Sequence, residues 1–446
     1  MRPLLLVAAL AGLLPGTAPA AVDVPDSPEL PARLDLETAL RLLRERGLDL
    51  LTAEAAVASA AGDARAAGEL ANPTLSAGYG RSFPRGACVD GAGASIPCAP
   101  LADPALSASI SDNAAIWSMV TGKRGLRVDV ARRALEAARL SRDDALRSLE
   151  GQLEQQFVAL VLARDTLAFA REVAEAQART QALSEARLEA GAISEADLAR
   201  IETSRLEADQ QVDAAAAGLR GAQVALAYLL GVRGPVPDFD VDPGPLERST
   251  PPPGLAAQTR ATLVRAALDR RPDVAAARRQ EEGARASLDL ARRERIPDVS
   301  LSVGYAQQGT TNQALLPPTW TVGISLPLPV LSWQQGEVAR AEATLAGQSL
   351  ARAKAESTAV SDVESAWAAL EASRSMLARM EGRLLDRSRR AFDLVTVQYD
   401  KGAASLLDLL DARRTWIGVR LEYLGDLAAY WQAIFRLEQA AGVTLR

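Results

Sequence analysis

The sequence predicts a mainly α-helical protein with a small membrane β part, in which one unit (a helix, two strands and a long helical hairpin) occurs twice. Two proline-free runs, 122–188 and 337–400, are rich in strong helix formers and favour helices on the order of 100 Å long. Short segments before each run alternate apolar with small polar residues, which is the period of a β-strand. Corresponding residues recur 211 positions apart, which indicates an internal duplication.

The duplication is clearest at glycine, serine and aspartate positions. The matched pairs are Gly191 and Gly402, Ser194 and Ser405, Asp197 and Asp408, and Gly231 and Gly442. The predicted organisation is a signal peptide at 1–20, an N-terminal segment at 21–35, a first copy at 36–231, a Pro/Gly-rich linker at 232–256 and a second copy at 257–446.

Each copy contains the same predicted elements in the same order. In the first copy they are a helix at 36–70, strands at about 74–80 and 105–116, and a hairpin at 122–231. In the second copy they are a helix at 262–295, strands at about 298–306 and 319–328, and a hairpin at 336–441. Each leading helix ends before a proline, Pro73 or Pro297, because the residue before proline disfavours helical backbone.

Composition and charge argue against several functions. The chain has 446 residues, a formal net charge of −6 and no basic patch, which argues against a nucleic-acid partner. It has no histidine, the commonest general base and metal ligand, and it lacks a G-x-S-x-G nucleophile elbow and a metal-ligand cluster. We therefore predict no enzyme, no bound metal and no cofactor, although Ser–Lys or paired-carboxylate chemistry would leave no such signature.

The N-terminus has the features of a secretory signal peptide. Arg2 supplies the positive start, Leu4–Leu14 the apolar centre and Ala18–Ala20 an A-x-A-like cleavage site. This apolar run is too short to span a bilayer, and no other run is long enough for a membrane helix. The chain is therefore expected to be exported, and to enter a membrane only as strands.

The alternating segments have one apolar face, one small polar face and aromatic residues near their ends. This is the pattern of outer-membrane barrels, and a half-buried soluble sheet fits the strands equally well. The signal peptide favours the barrel, and four strands per chain require several chains to complete it, since bacterial barrels begin at about eight strands. The predicted membrane-interface aromatics, for which packing at strand ends is the alternative, are Tyr79, Trp117, Tyr305, Trp320 and Trp333.

The duplicated order of elements resembles the TolC family of outer-membrane efflux channels over nearly the whole of residues 34–443. The turn sequences RLEAGAISEADL and QYDKGAASLLDLLDA carry the resemblance most specifically. It implies a homotrimer in the outer membrane of a Gram-negative-type cell, with a 12-stranded β-barrel and an α-helical periplasmic tunnel. It also implies three further partners: a periplasmic adaptor (membrane fusion protein), an inner-membrane RND-type transporter and outer-membrane lipid.

Two shorter stretches resemble the CzcC-like, heavy-metal efflux branch of that family. They are SLPLPVLSWQQGEVARAEA at 325–343 and GKRG at 122–125. The resemblance implies an exit channel of a tripartite system with metal cations as cargo. Drug efflux, type I secretion and a role as a periplasmic adaptor protein are the alternatives. The basic residues of GKRG are expected near the inner-leaflet headgroups.

The resemblance also assigns roles at the hairpin turns. Asp408 and Asp411 would form acidic rings that narrow the periplasmic tip and favour cations, and repulsion among six carboxylates would raise some of their pKa values. Tyr399 matches a gate tyrosine, but Ala404 replaces the arginine of the family's best-known gate, which leaves the gating mechanism open. The residues implied to contact the adaptor are Ala190, Gly191, Ala192 and Ser194 in one turn, and Lys401, Gly402, Ala403 and Ser405 in the other.

Local structure offers a second explanation for the turn aspartates. Ser194 with Asp197, and Ser405 with Asp408, fit the S-x-x-D capping box that starts a helix. Asp411 is past the first turn, so its alternative is a solvated helix face.

The two cysteines lie in the first strand-connecting loop. Cys88 and Cys98 in an exported chain favour an extracellular disulfide that closes a small loop. A soft-metal site would need more ligands than two thiols.

Overall fold

The computed structural model describes residues 25–81, 87–89, 91–97, 105–307 and 317–445. The predicted signal peptide lies outside the described residues. The chain forms two compact units, the first made of residues up to Ala55, Gln152–Arg248 and Met380–Ala428. The second unit comprises Ala56–Gly151, Ser249–Arg379 and the segment from Ala429 onward. Each unit takes segments from both sequence copies, so the copies are repeats of sequence and not the compact units themselves.

The predicted helix at 36–70 is divided in two. Strand β1 (Arg33–Leu34) precedes α1 (Leu36–Arg46), and Asp35 caps that helix by accepting the backbone N–H of Thr38 at 3.3 Å. The backbone of Gly47 is extended (φ −60°, ψ 118°), and α2 (Leu48–Ala66) begins after it. The prediction of one continuous helix was wrong here, and the break needs glycine because a Cβ on Gly47 would lie 2.5 Å from the carbonyl oxygen of Leu43.

The first hairpin has the expected form of two long helices joined by a short turn. Helix α4 (Lys123–Glu189) has 67 residues, and α5 (Glu195–Leu229) returns from it. Leu153, Phe157 and Leu160 are buried on α4 and follow one another at steps of four and three, so they lie on one stripe of the helix.

The segment predicted as a linker, 232–256, is ordered. It contains β6 (Asp240–Val241), which pairs in parallel with β1, then a 3₁₀ turn (Gly244–Glu247) and α6 (Pro253–Ala256). Arg164 donates to the carbonyl of Val241 at 3.0 Å, and Val241 is buried. Prolines and glycines still break regular structure here, but buried apolar residues between them fix the path of the chain.

The predicted helix at 262–295 is also broken, and the break has a counterpart in the first copy. Helices α7 (Arg260–Arg270) and α8 (Pro272–Arg293) meet at Arg271, since proline restricts the residue before it to extended backbone. Each break packs against the glycine that ends a return helix. A Cβ on Gly231 would lie 2.4 Å from the carbonyl oxygen of Arg46, and one on Gly442 would lie 3.3 Å from Arg271 Cγ.

The second hairpin differs from the first by an interruption. Helix α9 (Gln335–Arg379) continues through a π-helical turn (Met380–Leu384) into α10 (Leu385–Asp400), and α11 (Leu406–Ala441) returns. The sequence predicted an unbroken helix over this stretch. A π-turn adds a residue to the helix without proline, so neither composition nor periodicity signals it.

The second unit contains an antiparallel sheet in the order β2-β5-β7-β8. Its strands are β2 (Thr74–Gly80), β5 (Ala105–Ser111), β7 (Ser300–Gln307) and β8 (Thr319–Ser325). The predicted strand at 105–116 ends at Ser111, and α3 (Ala115–Val120) follows after positive φ angles at Asn113 and Ala114. A small hairpin that the sequence did not predict, β3 (Ala87–Val89) with β4 (Ser95–Pro97), lies between β2 and β5 in the chain.

The register of the sheet brings apolar residues together on one face. Leu75 pairs with Ile110, Ile110 with Val303 and Val303 with Val322, and each of the four is exposed. The opposite face consists of serine, threonine, glycine and alanine. Three of its four glycines, Gly78, Gly304 and Gly323, lie against hydroxyl side chains, and an added Cβ would come within 2.6–2.8 Å of Ser107, Thr321 or Ser302.

No helix in the described part of the chain is long and apolar enough to cross a bilayer.

Candidate functional site

The first hairpin turn reverses the chain through a left-handed glycine. Gly191 has φ +72°, its N–H donates to the carbonyl of Leu188, and the N–H of Ala192 donates to the carbonyl of Arg187, both at 2.8 Å. These bonds satisfy carbonyls at the end of α4, as in a Schellman-type termination. Ser194 then starts α5, because its Oγ accepts the N–H of Asp197 at 3.2 Å and donates to the Asp197 carboxylate at 2.8 Å.

The second turn is built in the same way. Gly402 has φ +77°, and the N–H of Ala403 donates to the carbonyl of Gln398 at 2.8 Å. Ser405 Oγ accepts the N–H of Asp408 at 3.2 Å, while the Ser405 hydroxyl and N–H donate to Asp408 Oδ2 at 2.7 and 3.0 Å. The capping box predicted from S-x-x-D is therefore complete in this turn.

The cap also stabilises the charged form of Asp408 within one chain. The hydroxyl of Ser405, followed by its backbone N–H, lowers the pKa of this exposed carboxyl from its ordinary value of 3.8. The direction is opposite to the rise expected from repulsion among carboxylates, since both donors stabilise the charged form.

Asp411 lies three residues further along α11 and has no part in the cap. Residues at i and i+3 share a helix face, so Asp408 and Asp411 present two carboxylates on one exposed side of α11. Within the described residues, Asp411 has no ion-pair partner. Because the Asp411 carboxylate is solvated and takes no part in the cap, it can attract a passing cation without breaking a bond of the cap.

Tyr399 contacts an arginine that the sequence did not identify. The guanidinium of Arg187, near the end of α4, lies 5.2 Å from the Tyr399 ring centroid, and Arg187 Nη2 is 3.3 Å from Asp400 Oδ1. Arg187 thus joins α4 to α10, although position 404 holds alanine. The only sequence signal was a basic residue in the last turn of a helix, which is common and explained by the helix dipole.

The aromatic residues predicted at a membrane interface have different surroundings. Tyr79, Trp320 and Trp333 are exposed, and Trp320 packs edge-on against its cross-strand partner Tyr305 with ring centroids 5.3 Å apart. Trp117 is half-buried on α3, and its Nε1–H donates to the carbonyl of Pro297 at 2.9 Å. This bond gives Trp117 a packing role in the second unit.

The basic residues of GKRG bind protein groups. Lys123 is buried, and its Nζ donates to the carbonyl of Ile296 at 2.6 Å and to the Asp298 carboxylate at 2.7 Å. Arg124 donates twice to the carbonyl of Gly68, at 2.8 and 2.6 Å. Both side chains are thus committed to backbone carbonyls of neighbouring segments, and their position near lipid headgroups stays a prediction.

The remaining predicted site is only partly covered by the structure. Cys98 lies outside the described residues, and of Cys88 only the backbone, on β3, is described. The disulfide therefore stays a prediction. In the described part of the chain, no group of three or more His, Cys, Asp or Glu side chains could hold a metal ion.

The sheet has one exposed apolar face, and the two long helical hairpins have equally built turns. These are features of outer-membrane proteins that combine a strand-built membrane part with periplasmic helices. Comparison with known proteins gives a family to which part of the chain is similar. The family model for the outer membrane efflux protein matches residues 263–443. This match covers about two fifths of the chain, which is thus similar to the TolC family of outer-membrane efflux proteins. The resemblance stated from the turn sequences is confirmed.

Relatives of this chain are named for different functions. It is 26% identical over 323 residues to the cobalt-zinc-cadmium resistance protein CzcC of Cupriavidus metallidurans, covering 72% of this chain and 74% of the relative. It is 28% identical over 291 residues to the pyoverdine export outer membrane protein OpmQ of Pseudomonas putida, covering 64% and 60% of the two chains.

Solved structures agree on the fold. The structure of CusC, described in the context of transmembrane channel formation, superposes with a TM-score of 0.74 at 19% identity. The match covers 96% of this chain and 98% of CusC. The predicted mainly α, TolC-like fold is therefore confirmed.

Proposed function

We propose that this protein is the outer-membrane exit channel of a tripartite efflux system and that its cargo is metal cations. The observation that carries the cargo proposal is the pair of exposed carboxylates, Asp408 and Asp411, on one side of α11 directly after the turn. Similarity to a cobalt-zinc-cadmium resistance protein supports the same cargo. Oxygen ligands on exposed carboxylates attract cations and repel anions, which is how acidic rings select ions in channels.

Three copies of the chain would form the channel. Among the described strands, β2 and β8 each have one neighbour, so the four-stranded sheet ends in two edges. Joining three sheets edge to edge would close a twelve-stranded barrel and satisfy the free backbone groups at both edges, as a bilayer requires. The apolar face of Leu75, Ile110, Val303 and Val322 would then meet lipid, and the hydroxyl and glycine face would line the water-filled passage.

The tip would combine three functions in a few residues. The carboxylates of Asp408 and Asp411 would form the constriction, and the Arg187 contact with Tyr399 and Asp400 would hold the two hairpins of one chain together in the closed state. The turns Ala190–Ser194 and Lys401–Ser405 would contact the hairpin of a periplasmic adaptor, which in turn would bind an inner-membrane RND-type transporter.

Growth of a deletion strain tests the cargo. We expect loss of the gene to sensitise cells to zinc, cobalt and cadmium, and little to dyes and detergents. Wild-type protein should restore metal resistance, whereas the double variant Asp408→Ala/Asp411→Ala should restore it only in part. The similarity to a pyoverdine export protein favours an organic cargo instead, and sensitivity restricted to organic compounds would establish that alternative.

A further inference from the structure

A cavity of about 850 Å³ lies among α4, α5 and α11 in the first compact unit. Cavities that bind small molecules typically fall in this size range and combine an apolar wall with few polar groups. The wall here includes apolar Phe169, Val173 and Ile417, polar Gln177 and Gln211, and charged Arg413.

Among the described residues, Arg413 is a buried cation without an acidic partner. Its side chain is 8% exposed, Nη1 donates to Gln177 Oε1, and Nη2 donates to Thr180 Oγ1 at 3.1 Å. The guanidinium lies 5.7 Å from the ring centroid of Phe392. All of these partners are neutral, and Arg413 Nε–H has no hydrogen-bond partner in the described structure.

Such a cation is costly unless something compensates its charge. Burying an unpaired charge costs several kcal/mol in proteins, which is why buried arginines normally face a carboxylate. Burial lowers the pKa of Arg413, yet guanidinium remains charged at physiological pH. The described structure therefore provides no counter-ion for Arg413. A ligand that supplies the negative charge should also accept a hydrogen bond from the Arg413 Nε–H.

We infer that Arg413 binds the carboxylate of an amphipathic organic anion whose apolar body occupies this cavity. A carboxylate is the planar acceptor that matches a guanidinium edge. Arg414 also lines the cavity and Glu207 is the acidic residue in its wall, so the wall has a positive excess. A bare metal cation is disfavoured there for the same reason. The inference is independent of the proposed cargo, because it concerns binding and not transport.

A pair of probes tests this inference on the full-length wild-type protein in lipid nanodiscs. Naphthalene-2-carboxylate and its neutral isostere naphthalene-2-carboxamide are titrated separately by isothermal calorimetry. We expect the carboxylate to bind at least tenfold more tightly, and to slow hydrogen–deuterium exchange in 166–177 and 410–421. Equal affinity for the two probes, or no protection in these segments, would overturn the inference.

Variants assign the effect to one side chain. Arg413→Gln should abolish the preference for the carboxylate, because glutamine keeps hydrogen-bonding capacity but removes the charge. Arg420→Gln, on the same helix but outside the cavity wall, should keep the preference. An unchanged preference in Arg413→Gln would contradict the assignment. If that variant does not assemble, the comparison of the two probes on the wild-type protein still tests the inference.

Discussion

Arg187 connects the two hairpins of one chain through two weak contacts. An exposed ion pair contributes about 0.2–1 kcal/mol, and an exposed cation–π contact about 0.5–1 kcal/mol. If they hold the proposed closed state, Arg187→Gln should shift the open-to-closed ratio roughly fivefold, since about 1 kcal/mol corresponds to that factor. Single-channel recordings in planar bilayers would measure the open probability.

Arg179→Gln is the matched control for this variant. Arg179 is exposed on the same helix and pairs only weakly, at 3.9 Å, with Glu175 one turn away. Its loss should leave the open probability unchanged. An Arg187→Gln channel that opens no more often than wild type would remove Arg187 from the closing mechanism.

Asp411 is the turn carboxylate whose removal should affect ions without affecting folding. We expect Asp411→Asn to lower the preference for cations over anions, because it removes one charge per chain from the proposed constriction and leaves the Ser405 cap intact. The reversal potential in a salt gradient measures this preference. Asp393→Asn, an exposed carboxylate on α10, is the control, and an equal shift in both variants would mean that the location of the charge is irrelevant.

The cap at Ser405 should depend on pH in a defined direction. The folded-state pKa of Asp408 is lowered, so its contribution to stability is present above the ordinary value of 3.8 and is lost as the pH falls below it. Hydrogen exchange in 405–411, corrected for its intrinsic pH dependence, should stay constant from pH 7 to about pH 4 and accelerate below. Ser405→Ala should remove this transition, and a transition near neutral pH would contradict the assignment.

At the scale of elements, the glycines at the two ends of the first hairpin differ in the space available for a side chain. Gly191 and Gly231 both have positive φ, but an added Cβ meets nothing within 4 Å at Gly191 and lies 2.4 Å from the Arg46 carbonyl oxygen at Gly231. Gly191→Ala should cost about 1–2 kcal/mol from backbone strain alone. Gly231→Ala should cost clearly more, because α1 or α5 must also move. Thermal denaturation compares the two, and equal losses would contradict the close packing.

How well the sequence predicted each element depended on where its signal lies. The 67-residue α4 and the alternation of the strands follow from local composition and period, and α4 was predicted to within one residue at each end. The break at Gly47 and the π-turn at Met380–Leu384 were not predicted. A single residue that leaves the helical pattern changes neither the composition of the segment nor its apolar period. The first two residues of α3 were predicted as the end of a strand, since a helix of six residues is too short to show its period.

In the candidate site too, features with a local sequence signal were predictable and features formed by tertiary contacts were not. The caps at Ser194 and Ser405 were predictable, because donor and acceptor are three residues apart in sequence. The contact of Arg187 with Asp400 joins residues 213 positions apart, and the charge of Arg413 is unusual only because folding buries it. Neither property can be derived from one chain without its tertiary structure.

At the scale of the whole molecule, the assembly is the first quantity to measure. The proposed closed sheet requires three chains, so the detergent-purified protein should have three times the mass of the mature chain. Light scattering with correction for bound detergent gives this mass, and chemical cross-linking should stop at the trimer. A monomer that stays in solution without detergent would contradict both the trimer and the lipid-facing role of the sheet.

The strands and the hairpin turns differ in fixed charge. The hydroxyl face of the four strands carries no ionisable side chain, whereas α11 presents Asp408 and Asp411 beside the turn. If the proposed acidic rings are the dominant fixed charge of the pore, they concentrate cations on their own side, so current should flow more easily in one direction than in the other. The channel would therefore rectify. The asymmetry of the current would be largest in dilute salt and would fade as the screening length shortens to about 3 Å in 1 M salt.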